Sequence, residues 1–182
     1  SNTITYNINS INLGRFMKII TLIFLLTFQL KLINSATIKM EAYGSNKSKI
    51  FKVTDKRTFM HTSAKGIVTY QPNVRAVFDC AGILEIKDGK TTSNTMCKVT
   101  EDNGDIHYAQ FNAKERFIST FTYISGEGRW KEMIGKKCIG ASSIMLPKEI
   151  EENLVESQFM WAGKCELPEE NLNRFINYKK PE

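Results

Sequence analysis

Four cysteines are the side chains in this sequence best suited to covalent chemistry. They stand far apart, all beyond residue 36, without the Cys-x-x-Cys spacing of a zinc site. An even number of cysteines in a small exported protein is typical of structural disulfides. The residues that we expect to form two disulfides are Cys80, Cys97, Cys138 and Cys165.

Groups for acid–base or metal chemistry are sparse. The two histidines, His61 and His107, lack the HxH or HxxxH spacing of a metal site, which usually needs three or four ligands. Acids cluster around the Asn103-Gly104 turn, but the downstream Glu of an EF-hand loop is missing. Asp79 is expected to face outward by strand parity. We expect structural histidines, a solvated polar turn at 101–105, no metal site and no cofactor.

Aromatic residues are the other candidates for a site. They make up 10% of the chain. In a β-rich protein such rings usually form the core, and they also line pockets for apolar small molecules. The residues that we expect to line such a pocket are Phe78, Tyr108, Phe121, Tyr123 and Trp130.

An apolar segment near the start of the sequence indicates the compartment. Residues 17–36 open with Met-Lys, continue with an uncharged apolar run over 19–28 and end in Asn-Ser-Ala, which is the layout of a secretory signal peptide. A membrane-spanning helix needs about 20 apolar residues, so an uncleaved anchor is the second interpretation. We expect a secreted or periplasmic protein without stable membrane insertion after cleavage. The expected segments are an upstream extension at 1–16, a signal peptide at 17–36 and a single domain at 37–182.

The charge distribution argues against a nucleic-acid partner. The formal net charge is +6, but Arg15, Lys18 and Lys31 lie in the first 36 residues, which contain no acid. The remaining basic residues form only isolated pairs such as Lys136-Lys137, and these do not make a phosphate-binding stripe. We therefore expect no nucleic-acid binding.

Short strands must position these side chains. From residue 37 onward, alternating apolar and polar segments are separated by turn residues at regular spacing, as in an all-β barrel or sandwich. Glycines within the strands favour the barrel, where strands bend sharply. Residues 149–156 are expected to hold one helical turn, and Glu169–Tyr178, after Pro168, a short helix. The sequence predicts a single antiparallel barrel of about eight strands with a short C-terminal helix.

The register of one predicted hairpin places two cysteines opposite each other. Residues 76–86 alternate, and Asp88-Gly89 is a favoured two-residue turn because both central positions need positive φ. In a hairpin centred on this turn, Cys80 lies opposite Cys97 in a non-hydrogen-bonded pair, with Cα atoms about 4.5 Å apart. A disulfide spans this distance, so we predict a cross-strand bond between these two cysteines.

The second bond depends on a second hairpin. Cys138 and Cys165 face each other if their strands are symmetric about Glu151-Glu152, and the pair also follows in part by elimination. Four cysteines allow three connectivities, and the sequence alone does not choose among them.

A segment around residues 121–135 resembles a known pattern. It reads FTYISGEGRWKEMIG, with an aromatic strand, a turn containing Gly126 and Gly128, then Trp130 and a further glycine. Together with the stretch from residue 76 to 165, it resembles the allene oxide cyclase-like and dirigent-like β-barrels and small secreted bacterial proteins related to them. The resemblance implies an eight-stranded antiparallel barrel with a central cavity. It implies no activity, because the catalytic residues of the cyclases have no assigned counterparts in this chain.

The combined expectation is a secreted or periplasmic, non-catalytic β-barrel that binds an apolar small molecule or a surface partner. Two alternatives stay open: an isomerase-like or cyclase-like barrel enzyme, and a structural or inhibitory envelope protein. A cavity of about 300 Å³ or more, lined by Phe and Tyr, would favour ligand binding. A carboxylate or histidine inside it would favour the enzyme, and a filled interior would favour the structural protein. No Gly-x-Ser-x-Gly motif is present, and catalytic residues stay unassigned.

Overall fold

The computed structural model describes residues 35–113 and 118–181. The predicted upstream extension and signal peptide lie outside these residues, apart from Ser35 and Ala36, which begin the first strand. A short 3-10 helix occupies Gly128–Met133, and one α-helix, α1, occupies Glu169–Asn177. The strands, in chain order, are β1 Ser35–Thr54, β2 Arg57–Tyr70, β3 Val74–Lys87, β4 Lys90–Glu101, β5 Ile106–Ala113, β6 Ile118–Gly126, β7 Lys137–Glu151 and β8 Leu154–Pro168.

The eight strands form one closed antiparallel barrel. Each strand pairs with its neighbours in sequence, and β1 also pairs with β8 from Ser35 to Lys49. Closure pairs each strand on both sides over part of its length, although 90–94 of β4 and 142–151 of β7 have no partner on one side among the described residues. The predicted all-β fold, a single antiparallel barrel with a short C-terminal helix, is confirmed. Among the described residues, no helix is long and apolar enough to cross a membrane.

The up-and-down connectivity gives the barrel two different ends. The turns at 55–56, 88–89 and 152–153 lie at one end, which we call the turn end. The connections at 71–73 and 102–105, the 3-10 helix and α1 lie at the other, which we call the helix end. The 3-10 helix and α1 contact each other there, so the helix end carries a cover of its own.

Both disulfides join adjacent strands. Cys80 and Cys97 link β3 to β4 with a Cα–Cα distance of 4.0 Å. Cys138 and Cys165 link β7 to β8 with a Cα–Cα distance of 4.5 Å. The predicted Cys80–Cys97 bond is confirmed, and the β3–β4 register places these two cysteines opposite each other. The second bond, whose connectivity the sequence left open, joins Cys138 to Cys165.

The β7–β8 hairpin differs from the expectation near its turn. Residues 149–156, expected to hold a helical turn, form the end of β7, a turn at 152–153 and the start of β8. Two β-bulges in β7, at 146–147 and at 150, each insert one residue. Pro147 lies in the first, since a bulge is one of the few places where a strand accommodates proline. The turn therefore lies one residue beyond Glu151-Glu152, while Cys138 still faces Cys165.

Removal of the bond between Cys80 and Cys97 should lower the free energy of unfolding by about 3 kcal/mol, because it closes a loop with a sequence separation of 17 residues. The double variant Cys80→Ala/Cys97→Ala, compared with the intact protein by urea denaturation, measures the loss. Peptide mapping without reduction gives the independent check. A cross-linked peptide that joins Cys80 to Cys138 or Cys165 would contradict the assigned pairs.

Candidate functional site

The barrel contains a cavity of about 230 Å³ between its two ends. Alternate residues of each strand point inward, and the inward side chains in the middle of the barrel are almost all apolar. No Asp, Glu, Lys or Arg side chain of the described residues lines this cavity. The aromatic residues in its wall, apart from the group at the helix end, are Phe78, Phe111, Phe121, Phe159 and Trp161.

Two of these rings lie over glycines on neighbouring strands. Phe78 packs against the inward positions of Gly44 and Gly66, where an added Cβ would lie 2.9 and 2.7 Å from its Cζ atom. Any larger residue at these positions would collide with the ring. The absence of two side chains therefore makes room for one ring, which is a reason for glycine to occur inside a strand.

The second ring belongs to Trp161 on β8. Its indole lies against Gly140 on β7 and Gly163 on β8, and Ser142 is its partner in the β7–β8 register. The ring is also packed edge-on against Phe121 and Phe111, with centroid distances of 5.2 and 5.8 Å. These contacts hold the indole in the wall of the cavity.

Trp130 lies beneath the helix-end side of the cavity, which we call the floor. It is fully buried and comes from the 3-10 helix between β6 and β7. Its ring centroid lies 3.8 Å from that of His107 and 4.7 Å from that of Tyr70. On its other side, Phe175 of α1 packs edge-on at 5.2 Å. Trp130 thus connects the floor of the cavity to the cover at the helix end.

The floor itself consists of His107, Tyr70 and Tyr123, which all line the cavity. Burial lowers the pKa of His107 from 6.5 to about 3, so the ring is neutral at physiological pH. Its Nε2 atom lies 3.3 Å from the Tyr70 hydroxyl, and its Nδ1 atom is buried without a partner. Burial also raises the pKa of both tyrosine hydroxyls. The floor therefore carries hydrogen-bonding groups without charge.

A buried ion pair stands beneath the floor. The Trp130 Nε1 group donates a hydrogen bond to Glu101 Oε2 at 3.0 Å, and Arg129 Nε lies 3.1 Å from Glu101 Oε1. Burial raises the pKa of the Glu101 carboxyl, and the Arg129 charge and the hydrogen bonds lower it in part. Arg129 also donates to the carbonyl oxygen of Phe175 at 3.0 Å, so the pair ties α1 to the barrel.

Asp105 forms a second ion pair at the helix end. Its Oδ1 atom lies 2.9 Å from Lys180 Nζ. Burial alone would raise the pKa of Asp105, but hydrogen bonds from Lys180, Tyr178 and Asn103 together lower it below its usual value. The expectation of a solvated polar turn at 101–105 is wrong here, because Glu101 and Asp105 are 7% and 3% exposed. Residues far along the chain cover both carboxylates.

No protein-family model, curated protein or solved structure matches this chain. The geometry of the barrel therefore carries the functional argument.

The structure brings together three of the five residues predicted to line a pocket. Phe78, Phe121 and Tyr123 line the cavity. Trp130 lies below the floor, in contact with His107 and not with the cavity. Tyr108 lies on the outer surface and is 39% exposed. It was grouped with the others by residue type alone. Strand alternation places the adjacent β5 residues, His107 and Ala109, on the inside and therefore Tyr108 on the outside.

Several lining residues were not predicted as site residues. Phe111, Phe159 and Trp161 belong to the wall, and His107 belongs to the floor. A usable signal was the presence of Gly140 and Gly163 in paired strands, since glycines inside strands mark close approach of another group. The disulfide between Cys80 and Cys97 also lines the cavity.

The remaining polar candidates lie outside the cavity. Asp79 faces outward, as its parity indicated, and its Oδ2 atom is 3.2 Å from Lys65 Nζ. His61 is exposed on the outer face of β2. Within residues 35–113 and 118–181, no three His, Cys, Asp or Glu side chains lie close enough together to hold a metal ion.

Proposed function

We propose that this protein is a secreted or periplasmic, non-catalytic β-barrel that binds a small apolar molecule inside the barrel. The observation that carries the proposal is the cavity of about 230 Å³ with an aromatic wall. Binding sites for small molecules are concave, mostly apolar and equipped with a few polar groups. The interior of this barrel has each of these properties.

The volume limits the size of the ligand. Drug-sized ligands occupy pockets of about 300 Å³ or more, so this cavity is smaller than the sequence analysis expected for a binding protein. An apolar cavity of about 150 Å³ binds benzene. The ligand that fits is therefore a molecule with one substituted ring or a short branched chain.

Catalysis by an isomerase or cyclase is the second candidate, and His107 in the cavity is the observation that favours it. A general base works best when its pKa is near the operating pH, whereas the pKa of His107 is about 3. The carboxylate of Glu101 lies beneath the floor and is already paired with Arg129. Binding without turnover is therefore the better-supported function. A purely structural or inhibitory protein has less support, because it needs no cavity.

The disulfides fit an oxidising compartment, where such bonds form and persist. They link β3 to β4 and β7 to β8. This chemistry supports the secreted or periplasmic location. The closed eight-stranded barrel with a central cavity also agrees with the resemblance to allene oxide cyclase-like and dirigent-like proteins, which stays a prediction.

Binding should be lost when the cavity is filled. Ala109 is buried in the cavity wall, and the variant Ala109→Leu adds three carbons to that space. We expect single-ring hydrocarbons such as toluene and ethylbenzene to raise the melting temperature of the intact protein. They should not change the melting temperature of Ala109→Leu, because its cavity is filled. At a ligand concentration about 100 times Kd the stabilisation is about 2.7 kcal/mol.

Two further variants complete this test. Ala64→Leu fills another part of the wall in case Ala109→Leu does not fold. Ala81→Leu places the same group on the outer face of β3 and should leave binding intact. The proposal is wrong if no single-ring or short-chain compound binds the intact protein, or if both filled variants bind as well as it does.

A further inference from the structure

The first four strands extend beyond the other strands at the turn end. β1 pairs with β8 only as far as Lys49, and β4 pairs with β5 only from Thr95 onward. Past these two residues, the register partners of β1 to β4 among the described residues all lie within these four strands. Residues 50–60 and 84–93 thus form a four-stranded sheet, which we call the projection.

The projection carries apolar side chains on both of its faces. Ile50, Met60 and Leu84 are register partners on the inner face, where all three are half-buried. Phe51 and Phe59 are partners on the outer face, and Phe51 is 53% exposed. Sheet faces with apolar side chains are normally covered, so the exposed part of these residues indicates a surface that another molecule covers.

The hairpin of β7 and β8 ends elsewhere around the turn end. β5 and β6 separate β7 from β4 in the order of the strands, and β7 has no register partner in β6 beyond Ala141. The tip of this hairpin, residues 144–153, which we call the β7–β8 tip, exposes Ile144, Leu146 and Ile150, and Leu146 is 80% exposed. The turn end therefore has two apolar parts, the projection and the β7–β8 tip.

These two parts carry opposite net charges. The projection has a formal charge of +2, from Lys52, Lys56, Arg57, Lys87 and Lys90 against Asp55, Glu85 and Asp88. The β7–β8 tip has a formal charge of −2, from Lys148 against Glu149, Glu151 and Glu152. A surface that contains both signs in separate parts is complementary to a second copy of itself.

We propose that two copies of this chain associate through their turn ends, with the projection of each copy against the β7–β8 tip of the other. In a two-fold interface the same surface serves on both copies, so both pairs of oppositely charged parts meet at once. A stable interface uses about 20–30 residues on each side, and residues 50–60, 84–93 and 144–153 make up a surface of that size. The dimer covers the turn end of both barrels, as α1 covers the helix end.

A second copy fits this surface better than a lipid bilayer does. The turns at 55–56 and 88–89 lead the projection and carry Asp55, Lys56 and Asp88, all exposed. Insertion into a bilayer would bury these charges before the apolar residues behind them, which is strongly unfavourable. An opposing protein surface covers the apolar residues and places charges of the opposite sign near the turns.

Sedimentation equilibrium of the disulfide-bonded protein tests the association. We expect a dimer whose Kd rises with ionic strength, because salt screens the paired charges. Leu84→Glu places a charge on the inner face of the projection and should raise the Kd of the dimer about 100-fold. The control Ile67→Glu places the same charge on the outer face of β2, where Ile67 is 59% exposed, and should leave the Kd unchanged.

Two variants with exchanged charges make the test specific and do not depend on the folding of Leu84→Glu. Lys56→Glu/Lys87→Glu makes the projection acidic, and Glu151→Lys/Glu152→Lys makes the β7–β8 tip basic; all four side chains are exposed. Each variant alone should associate about tenfold more weakly, because its two parts then carry the same sign. An equimolar mixture should form heterodimers as tight as the intact dimer, because opposite signs meet again in both contacts.

Three results would contradict the proposal. The first is an intact protein that is monomeric at about 100 μM. The second is a dimer that Ile67→Glu dissociates and the variants of the projection and tip do not, because the interface then lies on the outer face of the barrel. The third is a mixture of the two charge variants that associates no more tightly than either variant alone. None of these measurements needs a ligand, so this inference and the proposed binding function are tested independently.

Discussion

Replacement of Trp130 with alanine should lower the free energy of unfolding by about 3–5 kcal/mol. The side chain is fully buried, it packs between His107 and Phe175, and its Nε1 group donates to Glu101. The substitution leaves a large void and an acceptor without its donor. It also removes the contact through which α1 packs onto the floor of the cavity.

Urea denaturation followed by far-UV circular dichroism measures this loss. The control is Tyr108→Ala, which removes an exposed aromatic ring from the outer face of β5 and should cost less than about 1 kcal/mol. If Trp130→Ala is no more destabilising than this control, the indole does not support the helix end in the way that the structure indicates.

The second large effect is a dependence of stability on pH that His107 introduces. The pKa of this residue is 6.5 in an unfolded chain and about 3 in the folded protein. Between these values the unfolded chain binds a proton that the folded protein does not bind. The contribution of His107 to stability is therefore fully present above pH 6.5 and is lost as the pH falls toward 3, by about 1.4 kcal/mol for each pH unit.

The variant His107→Phe should abolish this part of the pH dependence. It keeps a ring next to Trp130 and cannot titrate, although it leaves the Tyr70 hydroxyl without its partner at 3.3 Å, which costs free energy at every pH. The quantity to compare is the slope of unfolding free energy against pH from 3.5 to 6.5. His61→Gln, on the exposed face of β2, should keep the slope of the intact protein.

Other groups near His107 do not remove this expectation. Tyr70 and Tyr123 have raised pKa values and do not titrate in the acidic range. The pKa of Glu101 is raised and that of Asp105 is lowered, so their contributions have opposite signs. The intact protein and His107→Phe share the contributions of Glu101 and Asp105, so these do not change the difference between the two slopes. An equal slope in His107→Phe and the intact protein would show that His107 is protonated without loss of the fold.

Local patterns in the sequence were sufficient for the barrel and for one disulfide. The strand alternation and the Asp88-Gly89 turn act between neighbours in the chain, and the β3–β4 hairpin has no bulge. The bond between Cys80 and Cys97 was therefore predictable by counting from the turn. In the β7–β8 hairpin two bulges displace the turn by one residue, and the pairing of Cys138 with Cys165 was reached from a turn position that is one residue off.

The site was predictable only in part, because its residues meet across distant strands. Phe78, Phe121 and Tyr123 could be selected as inward-facing aromatic residues. The position of Trp161 depends on rings from β5 and β6 and on glycines in β7 and β8. Only the glycines leave a signal in the sequence. The buried state of Glu101 depends likewise on Arg129, which lies 28 positions later in the sequence. Alternation within β5 would have separated Tyr108 from the inner residues once the face of His107 was known.

The packing of rings on glycines has a consequence for how the barrel can change over evolution. Phe78 and Trp161 fill space that bare backbone leaves free at Gly44, Gly66, Gly140 and Gly163, so a smaller residue at either ring position would enlarge the interior without moving a strand. The disulfides meanwhile keep two hairpins in register. One or two substitutions can thus change the shape of the cavity on a scaffold whose hydrogen-bonded frame stays the same.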